Sequence, residues 1–136
     1  MSAIITNYNV VMKDAADPST SSASANLNGD RYSAIMPVQR SFMGSIVAVN
    51  VAGPVGNYIL EGSNDFGIAD DMPYDRVNSE NLITNWGVIS TTALGATETS
   101  KIISVSDIGC RWLRLKFDST SGTGNITDIR ANFKGY

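Results

Sequence analysis

Apolar and polar residues alternate along most of this chain instead of recurring every three or four positions. Residues 112–117 have the sequence WLRLKF. On an extended chain Leu113, Leu115 and Phe117 face one side and the intervening residues face the other, because successive strand side chains point to opposite faces. This period of two predicts a strand that buries one face in a core.

Similar runs rich in Val, Ile, Tyr and Phe occur along the whole sequence, separated by clusters of Gly, Asn, Asp and Ser about every dozen residues. The runs are AIITNYNVVMK, RYSAIMPVQRSF, GSIVAVNVAG, NYILEGS, WGVIST, TSKIISVS and the two runs on either side of residues 120–124. Helical periodicity is hard to find. The pattern predicts an all-β protein, an antiparallel sandwich or barrel of about eight strands.

The run GSIVAVNVAG is apolar on both faces. Val47, Val49 and Val51 lie on one face, and Ile46 and Ala48 lie on the other. We therefore expect this strand to be central, or to be covered by a partner on its second face.

Three segments interrupt the strand pattern. Residues 14–30 are rich in Ser, Ala and Asn and predict a flexible loop or arm. Residues 64–85 predict a long polar loop, with one helical turn near 79–82. Residues 120–124 contain Gly between two strand-like runs, which predicts a hairpin connection.

The length of 136 residues predicts one domain spanning residues 1–136, and the 43% of hydrophobic residues suffice for a core. The formal net charge of -3 gives no basic field, so we expect no nucleic-acid partner. Residues 57–98 carry seven acids and one base, whereas residues 101–136 carry six bases and three acids. The charged side chains of these two segments are either scattered and solvated, or they allow the acidic segment of one copy to attract the basic segment of another.

The sequence offers little to an enzyme. It has no histidine, which removes the commonest general base and zinc ligand. The single cysteine, Cys110, cannot form an intrachain disulfide, and we expect it to be a small, buried apolar residue. The glycines of GTGN and GPVG match no phosphate-binding motif. We expect no catalytic residues and no cofactor; a hydrolase that uses two carboxylates stays open as a third alternative.

No segment resembles a signal peptide, and the longest mostly apolar run, residues 46–55, is too short to span a bilayer. We expect no membrane partner and assembly in a cytoplasm.

The polar loop allows two further interpretations. Asp65, Asp70, Asp71 and Asp75 offer oxygen ligands of the kind calcium prefers, but their spacing differs from the regular calcium loop. We expect a solvated loop and no metal. The loop together with Trp86 could also hold a sugar; in the other interpretation Trp86 belongs to the core.

The outward row of the opening strand contains Trp112, Arg114 and Lys116. A loop or sheet edge could cover this row, or it could be a solvated face on which the aliphatic stems of Arg and Lys lie over Trp112. We favour the third interpretation, a contact surface, because Trp and Arg are enriched where proteins bind proteins.

The order of SIVAVNV, YILEGSND, NW, KIISV, RWLRLKF, a Gly/Thr turn and a final strand ending in KG resembles small virion proteins of tailed phages. The nearest group is that of the capsid cement, or decoration, proteins with a β-sandwich or jelly-roll fold. The resemblance covers residues 44–136 best. It is a pattern of strands and turns, which related tail and fibre proteins and carbohydrate-binding modules share.

The resemblance implies a jelly-roll-like sandwich and a non-enzymatic role on the outer capsid surface. Such a protein binds the major capsid protein and a second copy of itself, as a dimer or a trimer, and clamps neighbouring coat subunits. The alternative is a carbohydrate-binding module of a phage tail or fibre. The residues expected to contact a partner are Val47, Val49, Trp112, Arg114 and Lys116, with Phe66, Met72 and Tyr74 from the loop.

Overall fold

A computed structural model describes residues 4–9, 12–14, 26–38, 41–64, 83 and 85–135. The strands are β1 (Ile4–Asn9), β2 (Met12–Asp14), β3 (Arg31–Ser33), β4 (Met36–Pro37), β5 (Ser41–Asn50), β6 (Val55–Ser63), β7 (Gly87–Leu94), β8 (Ser100–Ser106), β9 (Trp112–Ser121) and β10 (Ile126–Gly135). Within these ranges the structure has no helix. Accordingly, the described residues include no helix that is long and apolar enough to cross a membrane.

The strands form two antiparallel sheets. Sheet A has the order β1-β10-β5-β8, and sheet B has the order β2-β3-β9-β6-β7, with β4 also paired to β9. Strand β5 lies between β10 and β8, which confirms the central position expected for a strand with two apolar faces. Its inward residues Ile46 and Ala48 are fully buried.

The strand order is that of a jelly roll. Strands β3 and β4 both pair with β9 and act as one interrupted strand, so that, without the short β2, eight strands remain. The chain crosses between the sheets after β1, β4, β5, β7, β8 and β9. The predicted all-β, jelly-roll-like sandwich of about eight strands is thus confirmed.

The core lies between the inner faces of the two sheets. Leu113, Leu115 and Phe117 of β9 are completely buried there, as the alternation in the sequence predicted. Phe133 of β10 is equally buried and lies over Gly44 of β5, where a Cβ atom would come within 2.3 Å of the ring. Glycine at position 44 therefore makes room for the aromatic ring.

The predicted hairpin at residues 120–124 is wrong. Strand β9 pairs with β6 in sheet B, whereas β10 pairs with β5 in sheet A. Residues 122–124 therefore cross from one sheet to the other. A glycine-rich connection can form either a hairpin or a crossing between sheets. The crossing forms here because β9 and β10 make long pairings with strands of different sheets.

This crossing packs against the crossing between β5 and β6. The N–H of Val51 donates to the carbonyl of Asn125 over 2.9 Å. Gly122 has a φ of 78°, and a Cβ atom there would lie 2.1 Å from the carbonyl oxygen of Gly53. Only glycine combines this conformation with so close an approach of two backbones.

The predicted arm at residues 14–30 contributes to the sandwich at both of its ends. Asp14 belongs to β2, and Leu27 is fully buried in the core, where its N–H donates to the carbonyl of Gly124 over 2.9 Å. Residues 15–25 lie outside the described part of the chain.

The hydroxyl of Tyr58 is one of three buried side-chain polar atoms that have no hydrogen-bond partner within the described structure; the others are Asn50 Oδ1 and Ser90 Oγ. Tyr58 of β6 is fully buried, its ring meets Phe117 edge-to-face with centroids 5.1 Å apart, and its hydroxyl makes no hydrogen bond. Burial raises the pKa of Tyr58 well above its ordinary value because it disfavours the phenolate. An unpaired buried hydroxyl costs free energy.

We expect Gly122→Ala to lower the free energy of unfolding by at least about 2 kcal/mol, because the new Cβ meets backbone atoms in a left-handed conformation. Urea denaturation measures the change. Gly109→Ala is the matched control, since a Cβ atom there meets nothing within 4 Å, and it should stay within about 0.5 kcal/mol of wild type. Equal effects of the two variants would contradict the close packing of the two crossings.

We expect Tyr58→Phe to raise the free energy of unfolding at pH 7 by about 1 kcal/mol, because it removes an unpaired buried hydroxyl. The gain should grow above pH 10, the ordinary pKa of tyrosine, since the unfolded wild type ionises there while the folded state keeps its proton. Denaturation at pH 7 and pH 11 tests both statements. A variant less stable than wild type would show that the hydroxyl has a bonding partner.

Candidate functional site

Five of the eight residues predicted to contact a partner lie on two opposite outer faces of the sandwich. Val47 and Val49 of β5 point outward from sheet A and are half-buried. Trp112, Arg114 and Lys116 of β9 belong to the outward row of sheet B, because the alternate residues of β9 fill the core. Phe66, Met72 and Tyr74 lie outside the described residues.

Trp112 is covered by the chain itself. It is 6% exposed and forms a small second cluster with Ile35 and Ile83, against which Trp86 packs. Of the interpretations of the outward row, cover by a loop therefore describes Trp112. The ring has little surface left for a partner, whereas the two cations that follow it in the row remain partly accessible.

Arg114 lies between two aromatic rings. Its Cζ atom is 4.1 Å from the ring centroid of Trp86 and 4.6 Å from that of Tyr32. Its Nε donates to Oε1 of Glu61 over 2.8 Å. We call these four residues, Tyr32, Glu61, Trp86 and Arg114, the arginine stack.

Strand register and one loop bond position the arginine stack. Glu61 of β6 is the cross-strand partner of Arg114, and Tyr32 of β3 is that of Lys116. The indole N–H of Trp86 donates to the carbonyl of Ile83 over 3.0 Å, which fixes the ring just before β7 begins. Three separate parts of the chain thus converge on one guanidinium.

The arginine stack is mostly shielded but keeps an opening to solvent. The side chains of Arg114 and Glu61 are 22% and 12% exposed. Nζ of Lys116 lies 5.6 Å from the ring centroid of Tyr32 and makes no ion pair within the described chain. Glu61 therefore compensates Arg114, whereas Lys116 is not ion-paired to any described side chain.

Sequence reasoning missed two members of this group. Nothing in the sequence connects Tyr32 and Glu61 to Arg114, because only strand pairing brings them beside β9. Trp86 was considered for sugar binding, yet its ring packs on the Trp112 cluster and lies against Arg114. The sequence does contain one local indication of this group, an outward-facing arginine two residues after a tryptophan. The aliphatic stem of an arginine can cover apolar surface, so such a pair indicates an outer face that is partly apolar.

The outer face of sheet A has a different character. Ile102 of β8 is 65% exposed and pairs directly with Val47, and Met43 of β5 is 41% exposed. We call Met43, Val47, Val49 and Ile102 the sheet A patch. Strand β8 borders it with small polar residues, since Ser100, Ser104 and Ser106 alternate outward and are exposed.

A groove of about 400 Å³ adjoins the sheet A patch at the Met43 end. Its floor is formed by Gly44 and Ser45 of β5, which are smaller than their neighbours. Asn132 and Lys134 of β10 line one wall, and serines of β8 line the other. The groove is a shallow, half-polar depression between neighbouring strands.

Two of the four edge strands, β7 and β8, carry features that oppose strand addition. On β8, Lys101 lies on the inward row opposite Ala48 and forms an ion pair with Glu98. On β7, Ile89 is the extra residue of a bulge, because Leu60 pairs with Ser90 and Glu61 with Val88. Inward lysines and bulges at edges discourage pairing with another chain along these two strands.

Groups suited to chemistry are sparse in the described part of the chain. Cys110 is half-buried against the core, and burial raises the pKa of its thiol. A thiol with a raised pKa is a poor nucleophile at neutral pH. The described residues include no group of three or more His, Cys, Asp or Glu side chains placed to hold a metal ion.

Comparison with known proteins gives no family for this chain. No protein-family model matches it, and no curated protein matches it significantly. Functional conclusions therefore rest on the fold and on the geometry of the two faces.

We expect Arg114 and Trp86 to be coupled by about 1 kcal/mol, because a partly desolvated guanidinium over an indole ring is stabilising. A double-mutant cycle of Arg114→Met and Trp86→Leu, read by urea denaturation, measures this coupling. The pair Arg130→Met and Trp86→Leu is the control, since the Arg130 side chain is 76% exposed and pairs with Asp128. A coupling near zero in the first cycle would show that the ring and the guanidinium do not stabilise each other.

Proposed function

We propose that this protein is a non-enzymatic structural protein of a virion. It binds the outside of an assembled phage capsid and clamps neighbouring coat subunits. The observation that carries the proposal is the presence of interface-type residues on two opposite faces of one rigid sandwich. A clamp needs two such surfaces, whereas a ligand-binding module needs one.

The two faces favour different kinds of contact. The sheet A patch offers aliphatic surface bordered by serines, with Ile102 protruding most. Sheet B offers Tyr, Trp and Arg side chains, which are the residue types enriched among the energetically dominant positions of protein interfaces. An apolar contact on one side and a charge-assisted contact on the other would let one copy hold two different neighbours.

Each contact can be weak. A clamp on a shell is repeated by the symmetry of the shell, and a second contact made by an already bound copy is effectively intramolecular. Modest patches then suffice to raise the resistance of the whole particle to heat or internal pressure. This is consistent with a chain that uses its buried residues for a rigid scaffold and leaves only small surfaces for binding.

We further propose that copies associate with each other on the shell, as a homodimer or a trimer. Charge supports this, because residues 57–98 are acidic and residues 101–136 are basic. Lys116 and Lys134 make no ion pair within the described chain and can meet acids of a neighbour.

The alternative, a carbohydrate-binding module of a tail or fibre, relied on Trp86 and the acidic loop. Sugar rings stack on an open aromatic face, but Trp86 has Arg114 on its ring and donates its indole N–H to Ile83. These contacts favour the clamp. Saturable binding on a glycan array that Trp86→Ala abolishes would favour the sugar binder instead.

Binding to coat-protein shells that lack this protein tests the clamp. We expect the wild-type chain to cosediment with shells and to raise their melting temperature. Ile102→Asp places a charge in the sheet A patch and should weaken shell binding about tenfold, because a buried unpaired carboxylate is costly. Ala96→Asp, in the exposed turn between β7 and β8, is the control and should bind like wild type.

Circular dichroism and light scattering of each purified variant confirm that the fold and the oligomeric state are unchanged. Wild-type protein that does not bind shells, or Ile102→Asp protein that binds them at full occupancy, would contradict the proposal. The first result would reject the clamp, and the second would remove the sheet A patch from it.

A further inference from the structure

The guanidinium of Arg114 is fixed but not saturated. Rings lie against it at 4.1 and 4.6 Å, and Nε is bound to Glu61 over 2.8 Å. Its two terminal nitrogens, Nη1 and Nη2, make no hydrogen bond or ion pair within the described chain. With the side chain 22% exposed, these nitrogens are left to solvent or to a partner.

Such an arginine is pre-organised for an oxyanion. A free arginine loses side-chain entropy when it binds, but Tyr32, Trp86 and Glu61 have already fixed this one. The aromatic rings also limit the access of water, which strengthens a charge-assisted hydrogen bond at the open edge. The planar fork of terminal N–H groups matches the two oxygens of a carboxylate.

Lys116 adds a second cation on the same face. Its Nζ lies 5.6 Å from the ring centroid of Tyr32, the ring that also packs on Arg114, and it has no ion pair of its own. Glu61 neutralises one of these two cations, and no described side chain forms an ion pair with the other.

We infer that Arg114 and Lys116 form a binding site for a single carboxylate of a partner protein, an Asp or Glu side chain presented by a neighbouring subunit. Nη1 and Nη2 of Arg114 donate to its two oxygens, and Lys116 supplies the balancing charge. The inference deepens the proposed function, and it rests on that function for the statement that the carboxylate belongs to a coat subunit or a second copy.

The charge of the site selects a carboxylate over a phosphate. A carboxylate carries one negative charge, which the corner neutralises. A phosphate carries nearly two and would place the excess beside Glu61, whose side chain is 12% exposed and poorly screened. The chain as a whole carries a net charge of -3, which also opposes polyanions such as nucleic acid.

Titration of the full-length protein with a small carboxylate tests the site without any shell. The probe is N-acetyl-glutamate amide, which has one carboxylate, and N-acetyl-glutamine amide is its neutral counterpart. Arginine side-chain N–H resonances in ¹⁵N NMR spectra report binding at Arg114 directly. Inorganic phosphate is titrated in parallel at the same ionic strength.

We expect a saturable shift of the Arg114 resonances with the glutamate probe, none with the glutamine probe, and weaker binding of phosphate. Arg114→Lys keeps the charge but loses the fork, and should weaken binding of the glutamate probe about tenfold. Lys116→Gln leaves the arginine stack intact and should weaken it about threefold. Arg130→Lys, on the opposite face, should change nothing.

The inference is overturned if neither probe shifts Arg114, if both shift it equally, or if phosphate binds more tightly than the glutamate probe. It is also overturned if Lys116→Gln, which does not disturb the stack, binds like wild type. Shell binding separates this inference from the proposed function. Glutamate binding without shell binding would reject only the clamp, whereas shell binding that survives Arg114→Lys and Lys116→Gln at full occupancy would reject only this role of the site.

Discussion

The packing of two inward-facing apolar rows against each other is the constraint on which the rest of this structure depends. Sheet A contributes residues such as Ile46 and Phe133, and sheet B contributes Leu115 and Phe117, all without solvent exposure. Because strand side chains alternate, burial of one row fixes the direction of the other row. Every strand residue available to a partner is therefore outward, and the two outward faces point away from each other. Function on this fold has to be distributed over two surfaces or confined to one.

The two crossings between the sheets hold this arrangement together at one end. Residues 51–54 and 122–125 approach so closely that glycine is needed at positions 53 and 122, and the Val51–Asn125 hydrogen bond joins them. A sandwich closed in this way can present its faces as rigid platforms. The arginine stack depends on this rigidity. Its members come from β3, β6, β9 and the segment before β7, and they meet at a single guanidinium only if strand register and loop position are both fixed. Glu61 is essential to that arrangement, since a half-buried cation without a counter-charge would be costly.

The proposed clamp would act through shape and contact. The described residues place no group of metal-ligating side chains together, and burial raises the pKa of the Cys110 thiol. The faces instead offer aliphatic surface on one side and oriented cations on the other. Symmetric repetition on a larger assembly would turn such modest contacts into stability, so the proposed clamp would use both faces, whereas a ligand-binding module would need only one.

The sequence by itself determined the strand content, the inward rows and the central, two-faced strand at residues 46–51, because local alternation follows directly from strand geometry. It also separated Leu113, Leu115 and Phe117 from the outward Trp112, Arg114 and Lys116. Only the tertiary structure decided which strands pair. The 120–124 connection crosses between sheets instead of forming a hairpin, Leu27 joins the core, and Val47 and Arg114 lie on opposite faces. The side chains that contact Arg114 could not be predicted from the sequence either. Tyr32 and Glu61 lie more than fifty residues away along the chain and reach Arg114 only through strand register. Alternation depends on residues that are neighbours in the sequence. Strand pairing depends on which of several strands, distant in the sequence, pairs with a given strand edge.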